Sequence, residues 1–147
     1  SYEAEEFFHG VTAGGHPVGC ALALEAIDII INEKMIENVR HLEPIFMGGL
    51  KNFEDLEFIG ESRGIGLMGA LEMVQDKKNK LPFDGSISIG ERVANKCIEN
   101  GLICRPLGPS IVLCPPFITS EEEMGIIFDT LEKTLKEVFS EVKSLGQ

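Results

Sequence analysis

Arg105 is the residue whose type and setting most suggest chemistry. It lies in Gly101-Leu-Ile-Cys-Arg-Pro-Leu-Gly-Pro-Ser-Ile-Val-Leu-Cys-Pro-Pro116. Two short apolar runs, Leu102–Cys104 and Ile111–Cys114, flank a Pro/Gly segment, a pattern that predicts two adjacent strands joined by a tight turn. Arg105 then stands at the end of the first strand, where the loop begins. Its guanidinium offers a planar fork of donors that fits a carboxylate or phosphate at two points. A solvent-facing arginine beside an exposed turn is the other reading. A second candidate lies near the start: Phe7-Phe-His-Gly-Val-Thr-Ala-Gly-Gly15 leads into His16-Pro17. Small residues and a hydroxyl ahead of a helix make an anion cradle, because backbone N–H groups and the positive helix end point the same way. This is no P-loop, since its lysine is missing. An ordinary loop with Pro17 in the first helical turn is the alternative.

Other polar residues fit structural roles. Arg63 sits beside Glu61 and is expected to pair with it or with a nearby carboxylate. His9 and His16 flank the glycine loop and suit structural hydrogen bonding, and His41 falls on a helix surface. The nine lysines all fall on polar faces, in loops or near the terminus, none in an apolar pocket that would lower its pKa.

The elements that must position these residues follow from periodicity. Pro17–Asn32 is predicted as a helix that is apolar on nearly every face, and such a helix must be buried on several sides. Met35–Phe53 carries one stripe (Met35, Val39, Leu42, Phe46, Leu50, Phe53), with Pro44 expected to bend the helix or reset its start. Leu56–Val74 changes to an alternating, glycine-rich strand pattern. Residues 75–85 read as a surface loop. Ser88-x-x-Glu91 and Thr119-x-x-Glu122 resemble capping boxes for two further helices, the first stopped by Gly101. The final helix has Met124, Ile127, Phe128, Leu131, Leu135, Val138, Phe139 and Val142 at three- and four-residue steps. The order is helix–helix–strand–loop–helix–strand–strand–helix. It predicts an α+β layer, a small, mostly antiparallel sheet covered by helices.

Composition bounds the partners. The chain has 147 residues, 44% of them hydrophobic, and a mean hydropathy of +0.09, enough for a core and unlike a disordered chain. A net charge of −11 without a Lys/Arg cluster disfavours nucleic acid and anionic membranes. No apolar run reaches the roughly 18–20 residues of a membrane span, and no signal peptide pattern opens the sequence. Cys20, Cys97, Cys104 and Cys114 sit in apolar stretches without CxxC spacing, and are expected to be buried, reduced thiols of a cytoplasmic protein with no metal site. The missing initiator Met and the all-round apolar first helix suggest a piece of something larger.

Several stretches together resemble one family. Phe8-His-Gly-Val-Thr-Ala-Gly-Gly-His-Pro-Val-Gly-Cys20 is similar to the phosphate-loop segment of class III pyridoxal-phosphate aminotransferases. Gly60-Glu-Ser-Arg-Gly-Ile-Gly-Leu-Met68 resembles the first strand of their C-terminal domain. Residues 101–108 and 111–116 resemble the strand pair of the ω-amino acid or amine:pyruvate branch. The resemblance implies a fold-type-I homodimer with active sites shared between subunits. Residues 1–33 would end the large cofactor-binding domain and form the interdomain helix, and 34–147 would be the C-terminal small domain. It implies that Thr12, with the backbone of Val11, binds the phosphate of the pyridoxal 5'-phosphate held by the other subunit. Arg105 would be the mobile arginine that binds the substrate carboxylate and swings away for a bulky apolar amine. The implied reaction moves an amino group from an amine or ω-amino acid donor to a keto-acid acceptor such as pyruvate. The family's cofactor-linking lysine and its aspartate for the pyridine nitrogen would lie upstream, so this chain alone is expected to be inactive. An aminomutase or decarboxylating transaminase of the same fold stays open, as does a non-catalytic α+β dimerisation or binding module.

Overall fold

The computed structural model describes residue 10 and residues 12–145, in two compact units that divide between Met35 and Ile36. In the first unit, Thr12–Gly15 form a turn closed by the His16 N–H on the Ala13 carbonyl at 3.2 Å, with Gly15 at φ +76°. Helix α1 follows as Pro17–Asn32, with Pro17 in its first turn, where a missing N–H costs nothing. Its bounds match the sequence reading, and its apolar faces lack cover within the described residues: no residue of α1 is buried, and Leu22 is 65% exposed. Cys20 on this helix is exposed too, against the expectation that all four thiols are buried.

The second unit holds the core. Helix α2, Met35–Asn52, buries Leu42, Phe46 and Leu50 and runs unbroken through Pro44. Pro44 neither ends nor restarts it, because the buried stripe on both sides offsets one lost hydrogen bond. Phe53 lies in a short 3₁₀ turn beyond it.

The stretch read as a single strand is a hairpin. Strands β1 (Ile59–Ile65) and β2 (Met68–Met73) pair antiparallel, with Ile65 opposite Met68. The connection is Gly66-Leu67, with Gly66 at φ +57°, a conformation that glycine adopts without strain. Helix α3 is Ile89–Glu99. Ser88 does not cap it as expected: at φ +48° its hydroxyl turns back and donates to the Gly85 carbonyl. Strands β3 (Arg105–Leu107) and β4 (Ser110–Leu113) form the second hairpin. The run Leu102–Cys104 lies before β3 and outside it, so Arg105 begins a strand and does not end one. Helix α4 is Glu121–Leu145. Its capping box sits one residue later than Thr119–Glu122: the Ser120 hydroxyl accepts the Glu123 N–H, and the Glu123 carboxylate accepts the Ser120 N–H at 2.8 Å. Thr119 is buried instead, and its carbonyl accepts from Asn38 at 3.0 Å.

The four strands lie in the order β1-β2-β4-β3, every pair antiparallel. The fold is therefore α+β, with an antiparallel sheet and helices, as expected. Cross-strand partners share a face. On one face Leu71, Met73, Ile111 and Leu113 enter a single cluster with residues of α2, α3 and α4. At roughly 25 cal/mol per Å², such burial supplies most of the driving force for folding. The other face carries the row Arg63, Ala70, Val112, Arg105, one residue per strand. Ile65, 70% exposed, and Met68 extend that face.

Candidate functional site

Arg105 stands at the head of an edge strand, on the uncovered face of the sheet. It is exposed, and among the described residues it makes no ion pair or side-chain hydrogen bond. Arg63, at the far end of the same row, differs. Its guanidinium reaches Glu72 at 2.7 Å and Glu61 at 3.9 Å, the pairing that its neighbours suggested. One arginine of the row is thus neutralised in place, and the other has no ion-pair partner among the described residues.

The backbone under Arg105 is held at both ends. After α3, Gly101 at φ +87° turns the chain, and the Leu102 N–H donates to the Cys97 carbonyl at 2.8 Å. Cys97 and Cys104 are the two buried thiols, whereas Cys114, like Cys20, is exposed. Hydrogen bonding to Cys97, together with burial, pushes the Cys104 thiol up, so it stays protonated and inert. At the other end, the turn Gly108-Pro109 has Gly108 at φ +58°, and the Pro109 carbonyl accepts the Met73 N–H at 3.1 Å. Gly90, in the first turn of α3, lies under this turn: a Cβ there would overlap the Gly108 carbonyl oxygen. Sequence reasoning did not single out Gly90. Its signal is a glycine inside an otherwise helical pattern.

Thr12 is exposed in the turn before α1, whose first turn carries no acidic residue. A hydroxyl, a glycine-bent turn and unopposed helix N–H groups are the donors a phosphate needs. Val11 lies outside the described residues, as does His9. Thr12 belongs to the first unit and Arg105 to the second. No lysine is buried. Lys96, half-buried, is paired with Glu99 at 2.9 Å, and that hydrogen bond raises its pKa, opposite to what an imine-forming lysine requires. Among the described residues no His/Cys/Asp/Glu cluster could hold a metal, and no helix is long and apolar enough to cross a membrane.

Known proteins share both sequence and fold with this chain. Residues 2–135 match the family model for class-III aminotransferases. Mitochondrial gamma aminobutyrate transaminase 1 of Solanum lycopersicum is 39% identical over 95% of this chain and 27% of its own length. Adenosylmethionine-8-amino-7-oxononanoate aminotransferase of Aquifex aeolicus is 35% identical over 95% of this chain and 31% of its own. Among solved structures, an omega-aminotransferase from Paracoccus denitrificans superposes with a TM-score of 0.87 at 61% identity, covering 94% of this chain and 31% of that one. The aminotransferase of Vibrio fluvialis in its PMP-bound form gives 0.87 at 60%, covering 94% and 30%. The chain therefore spans about three tenths of the length of these relatives. With its family model matched over nearly the whole sequence and its sheet and helices superposing on solved members, the chain belongs to the class-III aminotransferases.

Proposed function

We propose that this chain is the C-terminal portion of a pyridoxal-phosphate-dependent transaminase. The enzyme moves an amino group from an amine or ω-amino acid to a keto acid such as pyruvate. The similarity to a gamma aminobutyrate transaminase and to an omega-aminotransferase supports that substrate class. The observation that carries the reading is Arg105: an exposed guanidinium, unpaired among the described residues, on a strand whose backbone is fixed at both ends.

In this proposal Arg105 binds the substrate carboxylate by a two-point, charge-assisted contact. Its long side chain lets the head group move aside when an apolar substituent occupies the same space. Thr12 donates its hydroxyl to the cofactor phosphate, with the Val11 backbone alongside, in the active site of a neighbouring subunit. A homodimer with shared active sites follows from that assignment. When bound, pyridoxal phosphate supplies the electrophilic carbonyl and the electron sink through which the amino group moves. The residues present suit its phosphate and not its covalent attachment, since every lysine here is exposed or ion-paired. The isolated chain is therefore inactive in this proposal. Four free cysteines suit a reducing compartment such as the cytoplasm.

The test is Arg105→Ala in the intact enzyme. KM for pyruvate rises about 10- to 100-fold, the worth of a hydrogen bond to a charged group, while KM for an apolar amine changes less than about threefold. Equal changes for both substrates would remove Arg105 from the carboxylate site.

A further inference from the structure

We propose that Gly90 is a positioning residue for Arg105. This rests on the reading of Arg105 as the carboxylate-binding residue. Helix α3 brackets strand β3. Its C-terminal end holds Leu102 through the Cys97 carbonyl, and its first turn lies against the β3–β4 turn. Gly90 is buried at that second contact. A Cβ on it would overlap the Gly108 carbonyl oxygen and come within 3.3 Å of the Ser110 carbonyl oxygen. Both obstacles are backbone, so no rotamer change can relieve them. The turn cannot easily retreat either, because the Pro109 carbonyl is already engaged by the Met73 N–H of β2.

Strand β3 has three residues, and its partner contacts run from Arg105–Val112 to Leu107–Ser110. A shift at Gly108 is therefore passed within three residues to the Cα of Arg105. Among the described residues, β3 pairs with a strand on one side only, so its position follows β4 and the seat of α3. Glycine at position 90 lets α3 seat at backbone distance and so fixes where the guanidinium stands.

Gly90→Ala in the intact enzyme tests this, with Gly69→Ala as control. A Cβ at Gly69 would overlap Leu50 and Phe46, equally crowded but on the covered face. Gly90→Ala is expected to raise KM for pyruvate by about fivefold or more, since ångström-scale misplacement of a binding group is costly. It should weaken binding of a non-reactive carboxylate such as propanoate, measured by calorimetry, by the same factor. KM for an apolar amine should change less than about twofold, and in an Arg105→Ala background the effect should vanish. Gly69→Ala should lower the melting temperature without changing the pyruvate-to-amine ratio. Equal losses on both substrates in Gly90→Ala would overturn the proposal. If that variant does not fold, Ile89→Val, which loosens the same seat without adding an atom, decides: a ratio altered about twofold supports the proposal, and an unaltered ratio overturns it. If Arg105→Ala itself leaves the ratio unchanged, the carboxylate reading fails. If it changes the ratio and Gly90→Ala does not, only the positioning role fails.

Discussion

The two hairpins of the sheet are built alike and finished differently. Each has a two-residue turn with a glycine in the left-handed region, Gly66 in the first and Gly108 in the second. In the first, three carboxylates take up polar groups of the hairpin. Glu43 of α2 accepts the Gly66 N–H at 2.8 Å, Glu72 takes Arg63, and Glu54 accepts both the Ser62 hydroxyl at 2.6 Å and its N–H at 2.9 Å. In the second, backbone and glycine contacts hold the chain, and the one charged group, Arg105, is unpaired among the described residues. A hairpin that serves the fold consumes its charges locally. In the proposed function, the second hairpin relies on backbone contacts for rigidity and keeps its cation available for a ligand.

The sharpest way to break the comparison is to remove both arginines in turn. In the proposed transaminase, Arg105→Ala should shift the pyruvate-to-amine KM ratio by about tenfold or more, and Arg63→Ala by less than about twofold. Similar shifts would mean that the shared row, and not the state of pairing, decides function.

A smaller effect is expected from Glu43→Ala. The Gly66 N–H loses its acceptor, and urea denaturation should show a loss of about 1 kcal/mol, with the KM ratio unchanged. No loss would mean that water satisfies the turn as well as Glu43 does.

Acid should separate the hairpins further. A hydrogen bond from Lys51 at 2.5 Å, with those from Ser62, holds Glu54 down to about 2 from a usual 4.5. A carboxylate whose folded pKa is depressed stabilises fully above its unfolded value and loses that contribution as pH falls through the folded one. Amide-exchange protection in β1 and β2 should therefore fall from pH 7 to about pH 3, while protection in β3 and β4 stays nearly level, and Glu54→Gln should flatten the difference. The smallest effect is that of Arg63→Ala on stability itself, within about 1 kcal/mol for a solvent-exposed pair.

The sequence made parts of this contrast legible. Pro and Gly around residues 106–109 announced the second hairpin, although its strand begins at Arg105 and not before it. The first hairpin was hidden because Gly66-Leu67 lacks the Asn-Gly or Asp-Gly signal, and Leu67 continued the apolar alternation through the turn. The α4 cap was displaced by one residue because Thr119 and Ser120 both stand three residues before a glutamate. The bounds of α1 came directly from its composition. Its burial did not, since apolar residues all round state a need for cover and not what supplies it. Arg105 was legible as a candidate from residue type alone. Its unpaired state was not, because pairing depends on cross-strand register.

Strand β3 has one more consequence. It forms one margin of the sheet, where unsatisfied backbone groups could recruit a strand from another molecule. It is three residues long, has a proline at its centre that removes one donor, and begins with a cation. Each of these features makes it a poor template for edge-to-edge growth. The brevity and stiffness that present Arg105 also protect the protein against aggregation along this margin.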